Sequence, residues 1–169
     1  MSHPDSEPRK RLSDLLNEWR RDGVPPRTTL MNCLKSVIDW KNSNGYGALW
    51  PAPPLMVTAT LDDCWGHGLE VIHTCAEAAG LQVDFLGLLQ TPEKIIEECR
   101  LRQPDLLGLT VLQLDSDEAL RQIADNLPAK TRILAGGPPF KIDEEFAERA
   151  GVQIVCHNVS DFLDFLLVM

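Results

Sequence analysis

The sequence predicts an α/β protein: a doubly wound, five-stranded parallel sheet preceded by a short N-terminal helical segment. Three observations carry this expectation. From residue 55 onward, short aliphatic and β-branched runs alternate five times with stretches of helical periodicity. The punctuation between them suits that alternation, with Gly80 and Gly151 placed to end helices, Pro92 to start one and Pro128 to stop one. The length of 169 residues, 44% hydrophobic and 24% charged, is enough for one core with an appendage.

Taken in order, residues 1–8 are polar with two prolines and are expected to be disordered. Leu12, Leu15, Leu16 and Trp19 fall at helical spacing and predict a helix from Ser13 to about Arg21, and Leu30, Leu34, Val37, Ile38 and Trp40 predict one from Thr28 to about Lys41. Gly23-Val24-Pro25-Pro26 separates these two helices. Residues 42–47, followed by Pro51, Pro53 and Pro54, form a linker. The expected division is therefore a helical segment and linker over 1–50 and an α/β domain over 51–169.

The first strand is expected at 55–60, then a helix over 66–79 and a second strand at 82–88. Thr91-Pro92-Glu93 opens the next helix with a cap, a proline at the first helical position and an acid in the first turn. A third strand follows at 105–112, a helix capped by Asp115-Ser116, and a fourth strand at 131–135. A helix over 142–150, a fifth strand at 152–156 and a final helix capped by Ser160 complete the pattern. Right-handed crossovers favour the flavodoxin-like strand order 2-1-3-4-5, with ligands bound beyond the carboxyl ends of the strands where the order reverses. The loops after strands 1, 3 and 4, residues 61–66, 110–115 and 136–140, should therefore meet.

Charge narrows the function. Residues 1–50 carry eight Lys/Arg against six Asp/Glu, whereas residues 51–169 carry eight against nineteen. The acidic main body should repel a polyanion, so direct nucleic-acid binding is not expected. Arg9, Lys10, Arg11, Arg20 and Arg21 form a basic cluster, interleaved with Asp14, Glu18 and Asp22 as on a solvated helix face. Cys33, Cys64, Cys75, Cys99 and Cys156 form no C-x-x-C pair, which argues against a disulfide framework or a zinc site. No apolar run approaches the roughly 20 residues of a membrane span, and Met1-Ser2-His3-Pro4-Asp5 lacks a signal-like apolar segment; a cytoplasmic protein is expected.

Other chemistries on this topology fail on particular residues. A phosphoacceptor receiver would find acids in Asp62 and Asp63, but strand 3 ends without an aspartate and strand 5 without a lysine. Leu61-Asp62-Asp63-Cys64 would repel the phosphate that a flavodoxin loop cradles. There is no Walker motif and no nucleophile elbow.

Leu61-Asp62-Asp63-Cys64-Trp65-Gly66, Thr110-Val111-Leu112 and Gly136-Gly137 together resemble the three stations of the cobalamin-binding domain family. That family has a D-x-H-x-x-G loop after strand 1, an S-x-L or S-x-T segment ending strand 3, and Gly-Gly after strand 4. The resemblance spans about residues 55–165. It implies that Gly66, Thr110, Leu112, Gly136 and Gly137 line a cavity for the cofactor's nucleotide tail, with the corrin ring over the carboxyl edge of the sheet. Glycine lets a backbone approach a ligand closely, and a hydroxyl at 110 can hydrogen-bond the nucleotide base.

The match departs from the family at two positions. Leu61 stands where the family has aspartate, and Asp63 where it has the cobalt-ligating histidine; a carboxylate is a hard substitute for a neutral imidazole. Cobalamin is thus expected to bind without a metal ligand from that loop, with haem as the alternative tetrapyrrole. Asp62, Asp63, Cys64, Trp65, Gly66 and His67 are the candidate contacts from the first loop, and His67, His157 and Cys64 the weaker metal candidates. Each also has a plain reading: Asp62 and Asp63 as helix-terminal acids, Cys64 as a packed thiol, His67 as a capping residue, His73 as core-edge packing, His157 as a solvated rim residue, and Gly136-Gly137 as a tight turn. Trp50 and Trp65 are read as packing residues.

The two N-terminal helices resemble a truncated form of the module that precedes such domains in corrinoid carriers and light sensors; they could pack on the domain or form a homodimer. The implied function is a carrier, sensor or regulatory module that binds a tetrapyrrole and a partner protein without catalysing, at most an accessory to a corrinoid-dependent methyltransferase. A degenerate, cofactor-free interaction module is the alternative.

Overall fold

A computed structural model describes residues 6–63 and 67–169. By their contacts these residues group into a helical unit and an α/β unit.

The helical unit contains α1 (Ser6–Asp22), α2 (Arg27–Asn44), α3 (His67–Ala79) and α8 (Val159–Val168). Helix α1 begins earlier than its apolar periodicity suggests. Its first turn is polar, and Pro8 is tolerated there because a first-turn N–H has no intrahelical partner. Leu12, Leu16 and Trp19 form its buried face, and α1 packs on α8 while α2 packs on α3. The α1–α8 contact is supported by the Arg20–Asp164 ion pair at 2.8 Å and by Arg9, which donates to the carbonyls of Leu167 and Leu49. Arg11 covers the Trp40 ring at 4.5 Å, a cation–π contact joining α1 to α2. The final helix is capped not by Ser160 but by Asn158, whose side chain accepts the Asp161 N–H at 3.0 Å; Ser160 already lies within the helix.

The C-terminus of α3 is held by two groups from the α2 side. Leu49 N–H donates to Ala79 O at 2.9 Å, and the buried Lys41 donates from Nζ to Ala78 O at 2.8 Å. An ammonium is well placed against the free carbonyls of a helix end. Burial nevertheless outweighs the attraction of Glu77 and lowers the Lys41 pKa below its ordinary 10.5. Between that lowered value and the ordinary one the unfolded chain binds more protons than the folded chain, so this group makes stability rise with pH across that window. Replacing Lys41 with Met is expected to flatten the rise. Urea midpoints of the two proteins from about pH 8 upward check this, and equal slopes would assign the rise to another group.

The α/β unit is built on a five-stranded parallel sheet in the order β2-β1-β3-β4-β5, as predicted. Its strands are β1 (Leu55–Thr60), β2 (Gln82–Phe85), β3 (Leu106–Thr110), β4 (Arg132–Gly136) and β5 (Ile154–Val155). Val57 and Ala59, Leu107 and Leu109, and Ile133 and Ala135 share one core with Ile95, Ile96 and Cys99 of α4 (Pro92–Arg102) and with Leu120 and Ile123 of α5 (Asp117–Asn126). The thiol of Cys99 is pushed up to about 11 by this burial, an inert thiol and not a reactive one. Thr91 caps α4 as expected, accepting the Lys94 N–H at 3.2 Å.

Several bounds differ from expectation for identifiable reasons. β2 ends at Phe85 because Gly87 and Leu89 take positive φ angles of 115° and 52°, turning residues 86–90 out of extended geometry. The predicted helix over 142–150 is two pieces, α6 (Pro139–Ile142) and α7 (Phe146–Ala150), divided at Asp143, whose extended backbone breaks the helix. Ser116 makes no side-chain cap; a short 3₁₀ turn at Leu114–Ser116 leads into α5 instead. No helix among the described residues is long and apolar enough to cross a membrane.

Candidate functional site

The strand register brings Thr60, Thr110 and Gly136 side by side at the carboxyl edge of the sheet. The loops after β1, β2 and β3 are then tied together through Asp62. Its main-chain oxygen accepts the Leu89 N–H at 3.1 Å and the Thr60 hydroxyl at 2.6 Å, and its carboxylate accepts the Leu112 N–H at 3.1 Å. Asp62 is buried, so these bonds are made largely away from water. Its neighbours point elsewhere. Leu61 packs against the core of the α/β unit, so the position that holds an aspartate in the family pattern is here an apolar core residue. Asp63 is exposed and makes no hydrogen bond or ion pair among the described residues.

Thr110 and Leu112 are half-buried on either side of the fully buried Val111, whose N–H donates to Gly136 O at 2.9 Å. The Thr110 hydroxyl has no hydrogen-bond partner among the described residues. A donor and acceptor left open at the strand edge suits a polar ligand group. The glycine pair has a requirement of its own. A Cβ at Gly136 would stand 2.5 Å from Cys156 O, and one at Gly137 1.8 Å from Val111 O. The loops after β3, β4 and β5 therefore approach so closely that the protein's own carbonyls occupy the space a side chain would need.

Beyond the glycines, Gly137, Pro138, Lys141, Ile142 and His157 line an open recess of about 300 Å³. His157 thus sits at the expected edge. His67 is the first residue of α3, while Cys64, Trp65 and Gly66 lie outside the described residues. His73, within α3, is half-buried, and burial lowers its pKa. No group of three or more His, Cys, Asp or Glu side chains able to hold a metal ion is found among the described residues. The open hydroxyl and the basic recess fit the polar periphery of a large cofactor, and position 63 offers a carboxylate in place of an imidazole.

Sequence reasoning missed two features. The tethering role of Asp62 depends on a partner 50 positions away, and the loop at 86–90, which runs beside the end of β1 through bonds such as Gln90 N–H to Thr60 O at 2.9 Å, begins with three residues, 86–88, that read as strand in the sequence. A leucine pair following Gly87 gives little sign that Leu89 adopts positive φ.

In a parallel sheet of this order ligands bind beyond the carboxyl ends of the strands, the edge where this chain has an open hydroxyl ending β3 and a tight glycine pair ending β4. The B12 binding domain model matches residues 55–162, and the chain belongs to the B12-binding domain family. Solved structures agree in fold. A cobalamin-binding protein from Desulfitobacterium hafniense superposes with a TM-score of 0.73 at 18% identity, over 91% of this chain and 75% of that one. The monomethylamine corrinoid protein of Methanosarcina barkeri gives 0.61 at 17%, over 94% and 78%. A chain of the methanol:cobalamin methyltransferase complex from the same organism gives 0.67 at 14%, over 98% and 66%. Membership of the family supports cobalamin as the cofactor.

Proposed function

We propose that the chain binds cobalamin at the carboxyl edge of its sheet and serves as a stand-alone carrier or sensor, without a cobalt ligand from position 63. The observation that carries this reading is the Thr110 hydroxyl, half-buried and without a partner among the described residues, in register between Thr60 and Gly136 in a domain of this family. Asp63, exposed and carboxylate-bearing, would offer a bound cofactor no imidazole from this position. The role is binding and presentation to a partner protein, with the N-terminal helices or the acidic surface as the contact.

A second reading, a cofactor-free interaction module, draws on Leu61 packing into the core and on the glycine pair being filled by neighbouring carbonyls. One experiment separates the two. Protein mixed with hydroxocobalamin, adenosylcobalamin or haemin and then desalted should retain cobalamin colour near one-to-one; colourless protein in all three cases supports the interaction module. Asp63→His should then shift the visible spectrum of bound hydroxocobalamin toward that of a nitrogen-ligated form, and an unchanged spectrum would place 63 away from the metal.

A further inference from the structure

The segment after β4 carries a cation with no protein partner among the described residues. In the α/β unit Lys94, Arg102, Arg121, Lys130 and Arg149 are ion-paired, as expected where acids outnumber bases by so much. Lys141 is exposed, and its side-chain ammonium makes no ion pair or hydrogen bond among the described residues; only its main-chain N–H is bonded, to Pro138 O at 3.0 Å. It lines the recess of about 300 Å³ with Gly137, Pro138, Ile142 and His157. Among the described residues no acid lines that recess, although the chain as a whole carries a net charge of −9.

We propose that this recess takes a phosphodiester and that Lys141 is the side chain that pairs with it. The inference rests on the cobalamin reading, because the phosphodiester of the nucleotide tail is the anionic group of that cofactor while its corrin amides are neutral. A lysine ammonium binds phosphate oxygens as a point charge, free to adjust its position, which suits an open recess better than a planar fork would.

The test uses the full chain and two corrinoids: cobalamin, and cobinamide, which lacks the nucleotide tail and its phosphodiester. Equilibrium dialysis at low ionic strength should show cobalamin binding weakened about three- to fivefold by Lys141→Gln and on the order of tenfold by Lys141→Glu. Cobinamide binding should be the same in all three proteins, and the cobalamin difference should shrink in high salt. Lys141 is exposed, so both variants should fold, which near-ultraviolet circular dichroism would verify. Equal losses for the two corrinoids, or unchanged cobalamin binding in both variants, would overturn the role of Lys141 while leaving the proposed function standing. A wild-type protein that binds neither corrinoid would overturn both.

Discussion

Gly137→Ala should destabilise the protein by at least about 3 kcal/mol and abolish retention of cobalamin through desalting. Two costs add. The backbone at 137 has a φ of 134°, a region essentially closed to residues with a Cβ, and the added methyl would lie 1.8 Å from Val111 O. The obstructing atom is a backbone carbonyl, so no side-chain rotation relieves the overlap. Moving that carbonyl would instead pull on the 2.9 Å bond from Val111 N–H to Gly136 O, at the end of the pairing of β3 with β4. The damage would therefore fall on the edge that presents Thr110. Urea unfolding measures the stability loss and visible absorbance after desalting the binding loss. Gly47→Ala is the control: nothing lies within 4 Å of its added Cβ, and it should change stability by less than about 0.5 kcal/mol. A Gly137→Ala protein as stable as that control would mean that the β3 and β4 loops separate easily.

Much of the architecture is legible in the sequence because it depends on local signals. Alternating runs give the number of strands, and right-handed crossovers leave few orders for them, of which 2-1-3-4-5 is the one formed. Thr91-Pro92-Glu93 carries its cap within four residues and is readable for that reason. The apolar spacing over 142–150 does not reveal the extended backbone at Asp143, so the sequence points to one helix where the structure has two. At the site, the stations at 110–112 and 136–137 are visible as motifs, but the reason for the glycines is not. Close approach suggests room for a ligand, whereas the atoms that exclude a Cβ are Cys156 O and Val111 O. Lys141 is invisible to sequence analysis, since its side chain's lack of a partner among the described residues is a fact about its neighbours in space and not about its neighbours in the chain.

Asp62→Ala should cost about 2 kcal/mol, because it removes the charged acceptor of the Leu112 N–H and leaves that donor unpaired at a partly buried position. Read from the sequence, Asp62 is one of two acids beside a helix N-terminus; in the structure its carboxylate reaches the loop after β3 while its main-chain oxygen holds Leu89 and Thr60. The two kinds of bond give the prediction its discrimination. Loss of the side chain removes only the Leu112 bond, so amide exchange should quicken at Leu112 while Leu89, bound to the main-chain oxygen, stays protected. Asp62→Asn keeps an oxygen acceptor and should recover more than half of the lost stability, since a neutral acceptor is weaker than a charged one but still satisfies the donor. Cobalamin retention should follow the same order, wild type above Asn above Ala, because the tethered segment Thr110–Leu112 carries the hydroxyl assigned to the ligand. Equal exchange rates at Leu112 in the Ala variant and wild type would show that the strand-edge geometry is held by the sheet alone, with Asp62 a bystander.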